Sequence, residues 1–525
     1  MMKYWPAITA VCWSILSCAP AASAAAESEP AGAYATAKDI AELRALILKQ
    51  QREIDELRQA LGTQAKDIKL APVSFAPPSA PPVNQSTAET EVTPPYLRIG
   101  DAYISPVGFV DFTNVWRSTN PGSGIGTNFG SIPFSNTIPQ GKIGEERMSL
   151  QNSRVGARVD ALVKGAHVTG YWESDFLGSL NATTNVAVSS NSDVFRLRLF
   201  WVDVRKNRWE VLGGQSWSMM TPGRTGISAL PSDIFYSQDM DVNYQAGLVW
   251  SRQPQFRLLY HPSASWTAAV SFEAPEQYIG GSSGGGAITL PAALATPYAP
   301  QLDNGATTLS APNAHPDIVA KVAFDYQKRF HFELGGVLRS ARVYDPLLAH
   351  HTTAAGGGVE ANLNFTIAPG FRILTNNYWS DGGGRYIFGQ APDLVVRADG
   401  TLSLVHSAST VSGFEWTIKN TLVYGYYGGI YIGRNAVVDT TGKFAGYGYP
   451  GAPAGQNRSI QEGSFGLIQT FWKDARYGAL SLITQYSYLT RSPWAIATGA
   501  PASANTNMLF LDLRYTLPGA APSLK

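Results

Sequence analysis

Cysteine is nearly absent: the chain has two among 525 residues, Cys12 and Cys18, both close to the N-terminus. A disulfide framework and a cysteine-based zinc site are therefore excluded from the remaining 507 positions. Charge is scarce too, with Asp, Glu, Lys and Arg making up 15%, which is low for a soluble surface. Its signs balance, 40 Lys and Arg against 39 Asp and Glu, so no basic excess points to nucleic acid and no acidic tail is present. No apolar run past the N-terminal segment reaches the roughly 20 residues of a membrane-spanning helix. Histidine is sparse, and the His350-His351 pair has no carboxylate or cysteine at metal-ligand spacing. No metal and no cofactor are expected.

What the chain does have is alternation. In a strand, successive side chains point to opposite faces. Over Phe195–Trp201, the phase predicts Phe195, Leu197, Leu199 and Trp201 on one face and Arg196, Arg198 and Phe200 on the other. Val322 and Phe324 likewise oppose Lys321 and Asp325. Leu334 and Leu338 oppose Glu333 and Arg339, and Leu511 and Leu513 oppose Asp512 and Arg514. A secreted β-sandwich shows such alternation strand by strand. Its repetition along hundreds of residues, with aromatics at the strand ends, predicts lipid outside and water inside. The expected fold is all-β: an antiparallel transmembrane barrel of sixteen strands, with eighteen as the alternative. The count of sixteen takes Gly247–Tyr260 as one strand bent at Pro254. With no spanning helix, a closed barrel is the remaining way to cross a bilayer with every backbone group paired.

The organisation follows. Residues 1–24 read as a signal peptide, with Lys3, a short apolar core and Ala22-Ser23-Ala24 as a small-residue cleavage site; lipidation at Cys18 is the rival reading. Residues 25–37 read as disordered. Residues 38–62 carry heptads, with Ile40, Leu43, Ile47, Gln50, Ile54, Leu57 and Leu61 at the core positions of a short coiled coil. Residues 63–95 form a Pro/Ala-rich linker, 96–517 the barrel and 518–525 a tail. Long loops at Asn120–Gly141, Tyr278–Pro316, Ser380–Gly400 and Val437–Arg458 suit one rim, and tight turns such as Lys206-Asn207-Arg208 the other. An even strand count puts both barrel ends on the periplasmic side, with the coiled coil beside them.

In layout the chain resembles the trimeric porins of Gram-negative outer membranes, most closely the DcaP-like porins. The local matches are Ser153-Arg154-Val155-Gly156, Gly170–Phe176 and Gly213–Ser218. The resemblance implies a homotrimer in outer-membrane lipid, passive flow of small solutes and a preference for anions such as dicarboxylates. Such barrels end on an aromatic residue, whereas this chain continues past Tyr515 and Leu517 to Lys525.

A water-filled pore selects by its width and its lining charges. The lumenal candidates are Arg154, Arg158, Arg196, Arg198, Arg257, Lys321 and Arg339. Along a strand, Arg196 and Arg198 stand about 7 Å apart. Guanidinium binds carboxylate with two prongs and stays charged, so such a ladder draws anions. Asp160, Glu173, Asp175, Asp325 and Glu333 are acids on the same phase, and about half of the arginines are expected to pair with them and brace the wall. The non-periodic stretch Ser218–Tyr244 carries Asp233, Asp239 and Asp241, which would face the arginines across a constriction if the stretch folds inward. No nucleophile, base and orienting group assemble in the sequence, so no enzyme is expected. The alternative function is a structural anchor that tethers the cell wall, through peptidoglycan, by way of the coiled coil.

Overall fold

The chain divides into two units, Met1–Glu89 and Thr90–Lys525. The structure is a computed structural model that describes residues 96–178, 194–234, 239–305, 315–327, 329–346 and 348–519. In the first unit only Lys49 and Arg52 are described, both helical and exposed. The signal peptide, the heptad core positions, Cys18 and the linker lie outside the described residues.

In the second unit, eighteen hydrogen-bonded segments make one sheet. Leu97–Ile99 only folds back on Ala102–Ile104. Glu145–Ser149 and Arg154–Val163 are consecutive pieces of one wall strand, because both pair with Ala102–Arg117. Sixteen antiparallel strands therefore enclose the lumen. They are β1 (Ala102–Arg117), β2 (Glu145–Ser149 with Arg154–Val163), β3 (Ala166–Gly178), β4 (Val194–Lys206), β5 (Trp209–Trp217) and β6 (Arg252–Tyr260). Next come β7 (Trp266–Glu273), β8 (Asp317–Tyr326), β9 (Phe330–Asp345), β10 (His350–Ala368) and β11 (Phe371–Asp381). The wall ends with β12 (His406–Ile418), β13 (Thr421–Ile432), β14 (Asn457–Asp474), β15 (Gly478–Pro493) and β16 (Ala504–Thr516). β16 pairs with β1, from Phe109↔Thr516 to Arg117↔Met508, and this closes the cylinder without an edge.

Each strand sorts its side chains by face. On β8 and β9, Val322, Leu334 and Leu338 are exposed while Lys321, His331, Glu333 and Arg339 are buried. On a barrel this means lipid-facing hydrocarbon and a polar lumen. Aromatic rings in mutual contact ring the short-turn end: Trp209 with Tyr260, Trp266 with Phe324, Phe330 with Phe365, and Phe371 with Trp416. Trp116, Tyr344, Trp379 and Tyr431 stand exposed toward the other end of their strands. The two sets fit belts at the two membrane interfaces.

Two readings need correction. The strand expected from Gly247 begins at Arg252, because Gly247 to Ser251 belongs to a loop that packs inside the barrel. The alternation over Phe195–Trp201 breaks midway. The pairing of β3 with β4 skips Arg198, running from Ser174↔Leu197 to Glu173↔Leu199. After this bulge the phase inverts: Leu199 is fully buried and Phe200 is 61% exposed. Arg196 and Arg198 keep the inward face, and Leu199 and Trp201 join it.

The long loops at the opposite end bury a dry core of their own. Phe129 and Ile132, Leu294 and Tyr298, Leu394 and Val395, and Val437 and Tyr447 come from four different loops and pack in one apolar cluster. Tyr278 donates its hydroxyl hydrogen to the Gly389 carbonyl, and Asn457 donates to that of Gly130.

Candidate pore and constriction

Between β5 and β6, residues 218–234 and 239–251 fold into the lumen. Their backbone N–H groups are caught by side chains on the inner wall. Glu273 accepts from Met219, Glu333 from Gly223, and Asp325 from Gly226. Gln485 accepts from Met240, and Glu462 from Ala246. These acceptors stand on β7, β9, β8, β15 and β14. Arg224 adds a two-pronged ion pair to Glu415 of β12, at 2.8 and 2.5 Å. Against β13 the approach is so close that a side chain at Gly428 would meet the Ala246 carbonyl. The loop therefore spans the cylinder and narrows it.

The three loop acids separate. Asp233, in a single 3₁₀ turn, lines a cavity of about 670 Å³ at the short-turn end together with Arg158, Arg205 and His261. Asp239 and Asp241 are buried away from the arginine wall. Gln485 donates to Asp239 at 3.0 Å, and the Thr127 N–H donates to Asp241 at 3.1 Å. They were expected across from the arginines, but the loop uses them to seat itself on β15 and on the loop after β1. Burial raises the Asp239 carboxyl to about 7; the Gln485 hydrogen bond lowers it in part and the Asp241 charge pushes it up. Burial also raises Asp241, against the opposing charge of Arg117.

The expected positive wall divides in the same way. Arg158 and Arg196 keep water contact, at 25% and 38% side-chain exposure. Arg158 is clamped by Asp160 with two hydrogen bonds of 2.8 Å. Arg196 binds Asp175 with two, at 3.0 and 2.7 Å. Arg154 lies 3.8 Å from Glu173, with its guanidinium 5.0 Å from the Phe109 ring. Arg198 is 3% exposed and is held by both Glu173 and Asp175. The other three candidates are not pore-lining. Lys321 lies between Glu360 at 2.6 Å and Glu333 at 3.3 Å. Arg339 is held by Asp317 and by Asp393 of the loop after β11. Arg257 donates to Gln255 and to the Trp217 carbonyl. The infolded loops cover all three, so these charges brace the wall.

Arg252 is the residue that sequence reading passed over, because Pro254 left its face ambiguous. It stands on β6 opposite Trp217, with its guanidinium 5.3 Å from the Trp217 ring and 6.0 Å from the Trp250 ring. Among the described residues, no carboxylate lies within 4.0 Å of it. With Arg196 and Arg385 it lines a second cavity, of about 500 Å³, at the long-loop end, which also holds Glu276 and Asp303. Burial raises Glu276, while Arg385 opposes the shift. The Trp250 ring stacks on Phe388 at 4.4 Å in the same cavity. Tyr244 of the infolded loop sits between the charges. Burial pushes its phenol up, but Arg154, Arg198 and Arg252 outweigh burial and hold it below the ordinary tyrosine value.

Sixteen antiparallel strands, tight turns at one rim, long loops at the other and one loop folded across the lumen define the outer-membrane porin fold. The chain matches the outer membrane channel DcaP of Acinetobacter baumannii with a TM-score of 0.57 at 16% identity, over 81% of this chain and 100% of that one. Salmonella typhi OmpF, in complex with daunomycin, matches with a TM-score of 0.45 at 8% identity, over 80% and 100% of the two chains. An anion-selective porin from Comamonas acidovorans matches with a TM-score of 0.44 at 11% identity, over 79% and 99%. No known family profile and no curated protein sequence matches the chain.

Proposed function

We propose that this protein is an outer-membrane channel that lets small hydrophilic solutes diffuse across and prefers anions, dicarboxylates among them. One observation carries the anion preference. On β2, β4 and β6, at the height of the infolded loop, four guanidiniums (Arg154, Arg196, Arg198 and Arg252) gather around two carboxylates, Glu173 and Asp175. Both carboxylates are already shared, so a positive surplus faces the narrowed lumen. In a low-dielectric wall such a surplus attracts anions and repels cations. The cavities at the two ends, lined by Arg158 and Arg196, supply the approach from either side.

The test is the reversal potential of the purified channel in a planar bilayer under a potassium chloride gradient. Arg158→Ser and Arg196→Ser together should move it toward the cation value. An unchanged potential would remove the anion preference and leave the channel standing. We further propose a homotrimer joined by the 38–62 heptads, with that segment on the periplasmic side within reach of peptidoglycan. Both ends of the wall, near Ala102 and Thr516, lie at the short-turn rim, which supports that side. Deleting residues 38–62 should lower the trimer fraction in crosslinking while single barrels still conduct.

A further inference from the structure

The cavity of about 500 Å³ at the long-loop end is lined by both signs of charge. Its wall side carries Arg196 of β4 and Arg252 of β6. Its loop side carries Glu276 and Asp303, from the connection between β7 and β8, with Arg385 and Phe388 from the connection between β11 and β12. Backbone pairing holds the two acids near each other. Tyr278 and Asp303 form a parallel bridge, in which the Asp303 N–H donates to the Gln277 carbonyl at 2.9 Å and the Ile279 N–H to that of Asp303 at 2.8 Å.

Neither acid has a cation of its own. Among the described residues, none lies within 4.0 Å of the Glu276 or the Asp303 carboxylate. Arg339 and Arg385, whose charges reach Glu276, engage Asp317 and Asp393 instead. Burial raises the Glu276 carboxyl, and Asp303 pushes it the same way against Arg385. A positive charge delivered to this pair would offset both effects. Arg252 is the counterpart, with no carboxylate within 4.0 Å, whereas Arg196 is already bound by Asp175. Unlike charges thus share one cavity without closing on each other.

This arrangement ranks solutes. A simple anion gains from Arg252 but is repelled by the two acids, and a simple cation meets the reverse. A molecule with both a carboxylate and an ammonium group gains at both places. The Phe388 ring, stacked on Trp250 at 4.4 Å, offers an apolar surface to the hydrocarbon between such groups. The volume falls in the range of small-molecule sites, about 300–1,000 Å³, which holds an amino acid or a short peptide. We propose that this cavity is a sorting site for zwitterions of the amino-acid and short-peptide class. The carboxylate goes to Arg252, the ammonium to Glu276 and Asp303, and the side chain lies on Phe388. The assignment rests on the channel reading above and adds a choice among the solutes which that reading admits.

The experiment is block of potassium chloride current through single channels by alanylalanine, by its N-acetyl form and by its amide, added on the long-loop side. At about pH 6 the free amine is charged, so the three carry both charges, the negative one alone and the positive one alone. The dipeptide should halve the current at the lowest concentration of the three. Glu276→Gln should raise its half-blocking concentration about threefold, and Glu276→Gln with Asp303→Asn about tenfold. The same changes remove a repulsion, so they should lower the value for the N-acetyl form. Arg252→Gln should weaken block by the dipeptide and the N-acetyl form and strengthen block by the amide. An N-acetyl form that blocks as well as the dipeptide in the unaltered channel would overturn the site, as would a dipeptide value unmoved by the double acid variant. Failure of the anion preference itself would appear separately, in the reversal potential of the Arg158 and Arg196 variants.

Discussion

Lys321→Met is the sharpest test of how the wall is held together. The ammonium is almost fully buried, 2.6 Å from Glu360, 3.3 Å from Glu333 and 3.3 Å from the Thr221 carbonyl. At an effective dielectric of about 20, the two ion pairs attract by roughly 6 and 5 kcal/mol. Stripping the three ions of water returns several kcal/mol each, so the assembled triad contributes little net. Removing the lysine alone is different, since it leaves two carboxylates buried against one another. We expect a loss of about 3–5 kcal/mol. Glu333 keeps His331, at 3.4 Å, and the Gly223 N–H, whereas Glu360 has no other ion-pair partner among the described residues. Adding Glu360→Gln should therefore recover about half of the loss. The assay is the urea midpoint of protein folded into lipid vesicles, read from tryptophan fluorescence. A single variant that costs under about 1 kcal/mol, or a double variant no better than the single, would refute the argument.

The remaining expectations concern the infolded loop and its lining. Glu415→Gln weakens the two-pronged contact with Arg224, so open-channel conductance and current noise should both rise in bilayer recordings. The native Asp239 carboxyl holds its proton up to about pH 7, against an ordinary value near 3.9. At this site the folded state thus binds more protons than the unfolded one across that window, so the contribution of Asp239 to stability falls as pH rises from about 4 to 7, then levels off. Asp239→Asn should flatten that part of the stability curve, measured by urea midpoints at pH 4, 5.5, 7 and 8. Leu334→Arg on the lipid face should cost about 2–4 kcal/mol if that position is near mid-bilayer, read from the same midpoints.

Much of the barrel was legible because lipid and water enforce a period of two on every strand. The faces of β8, β9, β15 and β16 follow from that period residue by residue. The pattern fails where the backbone changes count. The skipped Arg198 in the β3–β4 pairing inverts the phase of Leu199 and Phe200, and no local residue announces it. The break at Leu150–Ser153 likewise splits β2 without a proline or glycine to mark it. Which lumenal charges meet water was not legible. Lys321, Arg257 and Arg339 have the right phase, but loops distant in sequence cover them. Arg252 shows the converse. Its importance comes from Trp217 and Trp250 and from the acids it does not reach, which are matters of tertiary arrangement.

The moorings of the infolded loop carry a consequence for how such a channel diversifies. Glu273, Glu333, Asp325, Gln485 and Glu462 grip main-chain amides, which every residue but proline possesses. Arg224, Asp239 and Asp241 add side-chain moorings, and most of the other side chains hung from that segment are left free of this duty. A lineage could therefore exchange them, and with them the diet of solutes admitted, one substitution at a time while the staves that tie the segment down stay as they are.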